Sequence, residues 1–148
     1  FGTVRRHYIK NTILKYGYNF KKLYYNFDFA TSHSTGFFLK KKFYNLVNNF
    51  DTKYKCSADY DVYYKLFIEK KLNGSFTDKN QLIGIVSSGG FSSKYGFFNS
   101  LLEECKIRLN NGQNFFIVLI ILFNSLIKKF LKATFNIYNA KEINQKNT

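Results

Sequence analysis

The segment from Asp59 to Leu72 constrains this chain most. Val62, Leu66 and Phe67 recur at helical spacing and share one face, while Lys65, Glu69 and Lys70 fall toward water. A turn at Asn49-Phe50-Asp51 leads toward it, and Asn73-Gly74 supplies a stop signal. Two carboxylates, Asp59 and Asp61, stand at the mouth of this helix, where backbone N–H groups and the helix dipole favour the ionised form. An ionised, positioned carboxylate is what a general base requires. Residues two apart point to different sides of a helix. The pair is therefore expected to divide its work: one carboxylate enters a cleft, and the other caps backbone N–H groups or binds a basic side chain. Simple capping by both is the competing reading.

With 148 residues, the chain is long enough for one domain around one core. Phe1 to Tyr16 reads as a short strand, a turn at Asn11-Thr12 and a second strand from Ile13. Gly17 to Asp28 shows no clean periodicity and is read as irregular. Thr31 to Thr35 is a polar loop, Gly36 to Leu39 a short buried strand, and Lys40 to Val47 a short helix. Asn48-Asn49 ends that helix, because Asn tolerates the left-handed conformation best after Gly. Phe76 to Asp78 and Gln81 to Val86 read as short strands, Ser87 to Ser93 as a small-residue loop, and Phe97 to Leu109 as a helix stopped by Asn110-Asn111-Gly112. Alternating helices and short strands give an α/β class, with a short mixed sheet and flanking helices.

Charge and composition narrow the partners. There are 23 Lys and Arg against 9 Asp and Glu, a formal charge of +14. A surplus this large favours an anionic surface: nucleic acid, anionic lipid or a phosphorylated substrate. A solvated lysine-rich surface is the plainer alternative. Lys21-Lys22-Leu23-Tyr24-Tyr25 mixes basic and aromatic residues, but no RNP, zinc-finger or helix-turn-helix pattern accompanies it, so no specific nucleic acid is expected. Cys56 and Cys105 form no CxxC and, with only His7 and His33, argue against a zinc site. No signal-peptide pattern opens the chain, and a reducing cytoplasmic setting is the default expectation.

The C-terminal third differs from the rest. Phe115 to Phe123 is entirely apolar, and Lys128, Lys129 and Lys132 follow among Phe130, Leu131 and Phe135. As a helix, residues 115 to 127 would span roughly 20 Å, short of the roughly 30 Å of a bilayer core. The pattern suits an amphipathic helix lying on anionic lipid at the inner face of a membrane. A buried helix that completes the core is the alternative. Three segments are therefore expected: 1–113 as the folded unit, 114–138 as the apolar and basic helix, and 139–148 as a disordered tail.

Several short motifs occur in a suggestive order. They are Phe1-Gly2, Ser32-His33-Ser34-Thr35, a Phe-rich strand and helix ending in Asn48-Asn49-Phe50-Asp51, then Ala58-Asp59-Tyr60-Asp61 leading into a helix, and Gly89-Gly90-Phe91-Ser92-Ser93. Over about residues 1 to 112 this order resembles the second half of the catalytic domain of family 2 (GT-A type) glycosyltransferases, in the branch that builds bacterial cell-surface polysaccharides. The Asn pair stands where that branch has Gly-Gly before Phe-Asp, and the glutamate that often precedes the aspartate is replaced by Ala58.

The resemblance implies a partial GT-A fold and an inverting transfer of sugar from a nucleotide-sugar donor to a saccharide or lipid-linked acceptor. It implies Asp59 as catalytic base, with Asp61 orienting the helix start or the acceptor. It places His33, Ser34, Gly89, Gly90, Ser92 and Ser93 beside donor diphosphate or acceptor. It also implies a divalent metal, Mg or Mn, held by an aspartate-rich motif in the first half of such enzymes. That motif is expected before Phe1, which makes the chain the acceptor-side half of an enzyme and inactive alone. A non-catalytic basic protein that binds nucleic acid or an anionic membrane, or an inactive remnant, are the competing readings.

Overall fold

The computed structural model describes residues 1–7, 12–17, 20–25, 34–87 and 89–146. Its centre is a three-stranded sheet in the order β2-β1-β3, from β1 (Thr3–His7), β2 (Thr12–Lys15) and β3 (Leu82–Ser87). β1 and β2 pair antiparallel, with Val4 opposite Lys15 and His7 opposite Thr12. β1 and β3 run parallel, with Val4 opposite Gly84 and His7 opposite Ser87. Parallel strands need a long crossover, and here residues between β2 and β3 supply it, including α1 (Phe20–Tyr25), α2 (Lys41–Asn45) and α3 (Ala58–Tyr64). Then follow α4 (Phe91–Tyr95), α5 (Phe97–Asn110) and α6 (Phe115–Lys146). The mixed α/β class and the short mixed sheet with flanking helices are as expected.

α3 supplies the centre of the core. Val62, Leu66 and Phe67 are buried on its inner face, together with Tyr60, Tyr63 and Tyr64. Leu23, Val47, Tyr54 and Ile107 pack with them, and the rings of Phe1 and Phe37 close over Tyr63 and Phe67. Instead of continuing to Leu72, the helix widens into a π-helical turn over Lys65–Glu69, where the Lys70 N–H reaches back to the Lys65 carbonyl at 2.8 Å. Lys71 then takes φ 51°, so the helix ends before Asn73-Gly74.

Other boundaries also differ, each for a local reason. The 17–28 segment, expected to be irregular, contains α1. Leu23 is fully buried, and the buried Arg108 guanidinium donates to the Leu23 and Tyr24 carbonyls at 2.6 and 2.7 Å. A tertiary anchor, rather than periodicity, holds that short helix in place. The Lys21 to Tyr25 stretch thus lies on this docked helix, with Leu23 turned into the core and Tyr25 exposed.

Gly36 to Leu39 forms no strand. A 3₁₀ turn over Ser34–Gly36 brings Gly36 against β1, where its carbonyl accepts from the Gly2 N–H at 2.7 Å. A Cβ at Gly36 would lie 2.5 Å from the Val4 side chain, so only glycine permits this approach. Phe76 to Asp78 is not a strand either. The Thr77 hydroxyl takes the Thr3 N–H at 3.0 Å, a side chain replacing a ladder carbonyl. The expected Asn turn is present: Asn48 and Asn49 adopt φ 55° and 64°. Cys56 and Cys105 are free thiols. α6 continues to Lys146, past residue 138 and through most of the segment expected to be disordered. Among the described residues no helix is long and apolar enough to cross a membrane.

Candidate functional site

The carboxyl ends of the parallel strands β1 and β3 open into a cavity of about 510 Å³. In open α/β sheets this is where ligands settle, because the strands end there and the following loops diverge. Arg6 and His7 line it from β1, Val86 and Ser87 from β3, and Asp59, Tyr60 and Tyr63 from α3. Gly90, Ser92 and Ser93 come from the start of α4, Ser100 and Glu104 from α5, and Ser34 from the 3₁₀ turn.

Most of the residues singled out in the sequence therefore converge. Ser34, Asp59, Gly90, Ser92 and Ser93 share the cavity although they span 59 positions of chain from Ser34 to Ser93. Gly89, at φ 95°, turns the chain beside them without lining it. The loop expected around Gly89-Gly90 is partly helical, since Gly90 precedes α4 and Ser92 and Ser93 lie within it. His33 lies outside the described residues.

The two aspartates part company. Asp59 faces the cavity, whereas Asp61 does not line it and is 1% exposed. Asp61 accepts from Lys65 Nζ at 2.6 Å and from Asn111 Nδ2 at 3.0 Å, joining α3 to the turn after α5. This is the division of work that their spacing predicts, and it gives Asp61 a pairing role inside the fold rather than a place in the cavity.

Asp59 also behaves differently from a carboxylate held ionised by a helix start. Burial outweighs the N–H groups of Tyr60 and of Asp59 itself, and its carboxyl is pushed above its ordinary value. A base nearer to the working pH transfers a proton more effectively than a strongly acidic one.

What holds Asp59 in place comes from 40-odd residues downstream. Ser57 precedes α3 but gives it no side-chain cap. Instead Glu103 of α5 accepts the N–H groups of Lys55, Cys56 and Ser57 at 2.8, 2.9 and 3.0 Å, and the Tyr95 hydroxyl at 2.7 Å. One carboxylate thus fixes the loop entering α3 and ties α4 and α5 to it. Burial works against the Glu103 charge, but the Cys56 N–H, the Tyr95 hydroxyl and the Lys55 and Ser57 N–H groups outweigh it. The carboxyl is held below its ordinary value.

Its neighbour Glu104 turns the other way, into the cavity. Burial pushes its carboxyl up to about 8; Arg108 works against this, while Asp59 and Glu103 add to it. At neutral pH Glu104 is therefore mostly protonated and offers a hydrogen-bond donor to the cavity that Asp59 also lines. Burial likewise raises the phenols of Tyr60 and Tyr63, which stay protonated.

Sequence reasoning did not find Glu103 and Glu104. The available signal was a pair of carboxylates inside the apolar run Leu101-Leu102 to Ile107, where at least one had to face the core. For a metal the fit is poor. Among the described residues no group of three or more His, Cys, Asp or Glu side chains could hold an ion. No family model matches the chain, and neither a curated protein nor a solved structure matches it.

Proposed function

We propose that this chain forms the acceptor side of an inverting, family 2-like glycosyltransferase with a partial GT-A fold. Its donor is a nucleotide sugar and its acceptor a saccharide or lipid-linked saccharide, in the synthesis of a surface polysaccharide. The observation that carries this reading is the convergence of Asp59, Ser34, Gly90, Ser92 and Ser93 on one cavity at the carboxyl ends of parallel strands.

The chemistry asks little of these residues beyond position and proton transfer. An acceptor hydroxyl is a poor nucleophile until its proton is taken. In its ionised form, Asp59 removes that proton as the hydroxyl oxygen bonds to the anomeric carbon. The bond from that carbon to the diphosphate breaks on the opposite face, and the nucleoside diphosphate leaves with the electron pair. Glu104, protonated at neutral pH, donates to a sugar hydroxyl. Ser34, Ser92 and Ser93 supply neutral hydroxyls that exchange hydrogen bonds with sugar. A divalent ion bound by another part of the enzyme would neutralise the leaving diphosphate.

Asp59→Asn removes the base while keeping an acceptor oxygen for the Tyr60 N–H, which now bonds Asp59 Oδ1 at 2.8 Å. In the enzyme containing this chain, turnover is expected to fall by roughly 10²- to 10⁴-fold, with donor affinity unchanged. Full turnover by that variant would remove Asp59 from the reaction. On this chain alone, saccharide acceptors should perturb the amide resonances of Ser34, Asp59, Ser92 and Ser93 together. Perturbation elsewhere, with these silent, would displace the acceptor from the cavity.

A further inference from the structure

α6 has two apolar faces, and only one has a partner among the described residues. Val118 and Ile121 are 3% exposed on the side that packs against α5. On the other side Phe116, Ile120, Phe123, Ile127 and Phe130 are between 57% and 72% exposed. They succeed one another at alternating steps of four and three residues, which places them in a single stripe along the helix, roughly 21 Å long. Leu131 widens the stripe, and Phe98 at the start of α5 extends it sideways. Between Phe98 and the distal part of α6 lies an apolar recess of about 470 Å³, whose lining also includes Lys129. An apolar face this continuous marks a surface that something covers.

We propose that this face docks α6 flat onto the surface of an anionic lipid bilayer, with the stripe in the acyl boundary and the lysines among the headgroups. Charge selects that occupant. No Asp or Glu occurs between Glu104 and Glu142, whereas Lys106, Lys128, Lys129, Lys132 and Lys141 do. A second copy laid against the stripe would bring lysine to lysine, with no acidic residue at the flanks to pair across a helical seam. The whole chain carries +14, so two copies repel while an anionic surface attracts.

Side-chain shape points the same way. Three of the five stripe positions are Phe, where close-packed helical seams favour Leu, Ile and Val. Phe98 makes the face wider than one helix. The helix lies on the bilayer rather than through it, since none of the described helices is long and apolar enough to cross. Lys128 and Lys132 lie about 120° and about 160° round the helix from the centre of the stripe, on its polar side, where their long stems can reach the headgroups around a helix that lies in the interface. This inference does not rest on the cavity: it holds or fails whatever Asp59 does.

The test is co-sedimentation of the full chain with phosphatidylcholine vesicles, with and without a substantial fraction of phosphatidylglycerol. Binding to the anionic vesicles is expected to exceed binding to the neutral ones by at least about tenfold, and to weaken with salt. Replacing two exposed stripe residues together, Phe123→Glu with Ile127→Glu, should reduce anionic binding by at least about tenfold at an unchanged urea midpoint. Lys128→Gln with Lys132→Gln should reduce it by roughly tenfold.

Should the stripe variant fail to fold, Phe123→Trp gives a second reading, because the chain contains no other tryptophan. Its emission should shift to the blue on anionic vesicles, and an unshifted emission with bound protein overturns the docking geometry. Undiminished binding by a folded stripe variant overturns it too, leaving general charge attraction. No vesicle binding overturns the proposal outright. If a dimer in sedimentation equilibrium then dissociates on stripe substitution, the face belongs to a second copy.

Discussion

Two sets of carboxylates meet where α3 and α5 pack, and they live under opposite rules. In the clamp, Glu103 and Asp61 are buried and surrounded by donors: three backbone N–H groups and a phenol for one, a lysine and an amide for the other. In the cavity wall, Asp59 and Glu104 are also withdrawn from water, but their donors do not offset burial, and both carboxyls are pushed up. Each helix contributes one residue to each set, at positions one or two apart in sequence. A fold that hydrogen-bonds some of its acids and starves others keeps the first for cohesion and leaves the second able to exchange protons.

The largest expected effect lies in the clamp. Glu103→Ala leaves the N–H groups of Lys55, Cys56 and Ser57 without their acceptor at the entry to α3. Bonds to a charged group are worth more than neutral ones, and buried donors left bare cost their full desolvation. A loss of about 3–5 kcal/mol in urea unfolding is expected. A loss below about 1 kcal/mol would mean that the loop holds itself and that the clamp is incidental.

Next comes a pH dependence of opposite sign on adjacent residues. Glu104 has a folded value of about 8, above its ordinary 4.5. Its protonated form suits the fold, so its contribution to stability is fully present below about 4.5 and is lost as pH rises through about 8. Glu103 is depressed, so its contribution is present above the ordinary carboxylate value and is lost as pH falls through its lower folded value. Glu104→Gln should therefore flatten the alkaline side alone and stabilise the protein by about 2–3 kcal/mol above pH 8. A parallel loss at all pH values would show Glu104 to be part of the clamp instead.

A smaller effect is expected at Asp61. Asp61→Asn keeps an oxygen for Asn111 but gives up the charge facing Lys65, whose side chain is 23% exposed and can turn to water. A cost of about 1–2 kcal/mol in thermal or urea unfolding is expected. A cost as large as that of Glu103→Ala would place Lys65 deeper in the network than its exposure indicates.

How much of this was legible in the sequence depended on the distance of the partner along the chain. The core face of α3 follows from the spacing of Val62, Leu66 and Phe67, and the Asn48-Asn49 turn follows from the residue type. Both are local facts. The different fates of Asp59 and Asp61 follow from helix geometry, although which of them enters the cavity does not. α1 was missed because its anchor, Arg108, lies 84 and 85 positions away from the carbonyls it binds. Glu103 was missed for the same reason: its backbone partners stand 46 to 48 positions upstream, and nothing in Glu-Glu-Cys announces them. The upward shift at Asp59 was hidden too. The helix start is visible in sequence, but the burial that overrides it comes from tertiary packing.

The smallest expected effect is the most discriminating. Asp59 accepts a backbone N–H within its own helix start, and an asparagine oxygen can keep that bond. Its carboxyl is raised by burial, so neutralising the side chain removes a charge that the fold disfavours. Asp59→Asn should thus change urea stability by less than about 1 kcal/mol at pH 7, and in the stabilising direction. Residues placed for cohesion lose stability when replaced, whereas residues placed for chemistry often do not, because the site holds them against their own preference. If Asp59→Asn cost as much as Glu103→Ala, the division between clamp and cavity would collapse, and Asp59 would be a structural cap of α3. A gain in stability would leave proton exchange as the reason for an acid at that position.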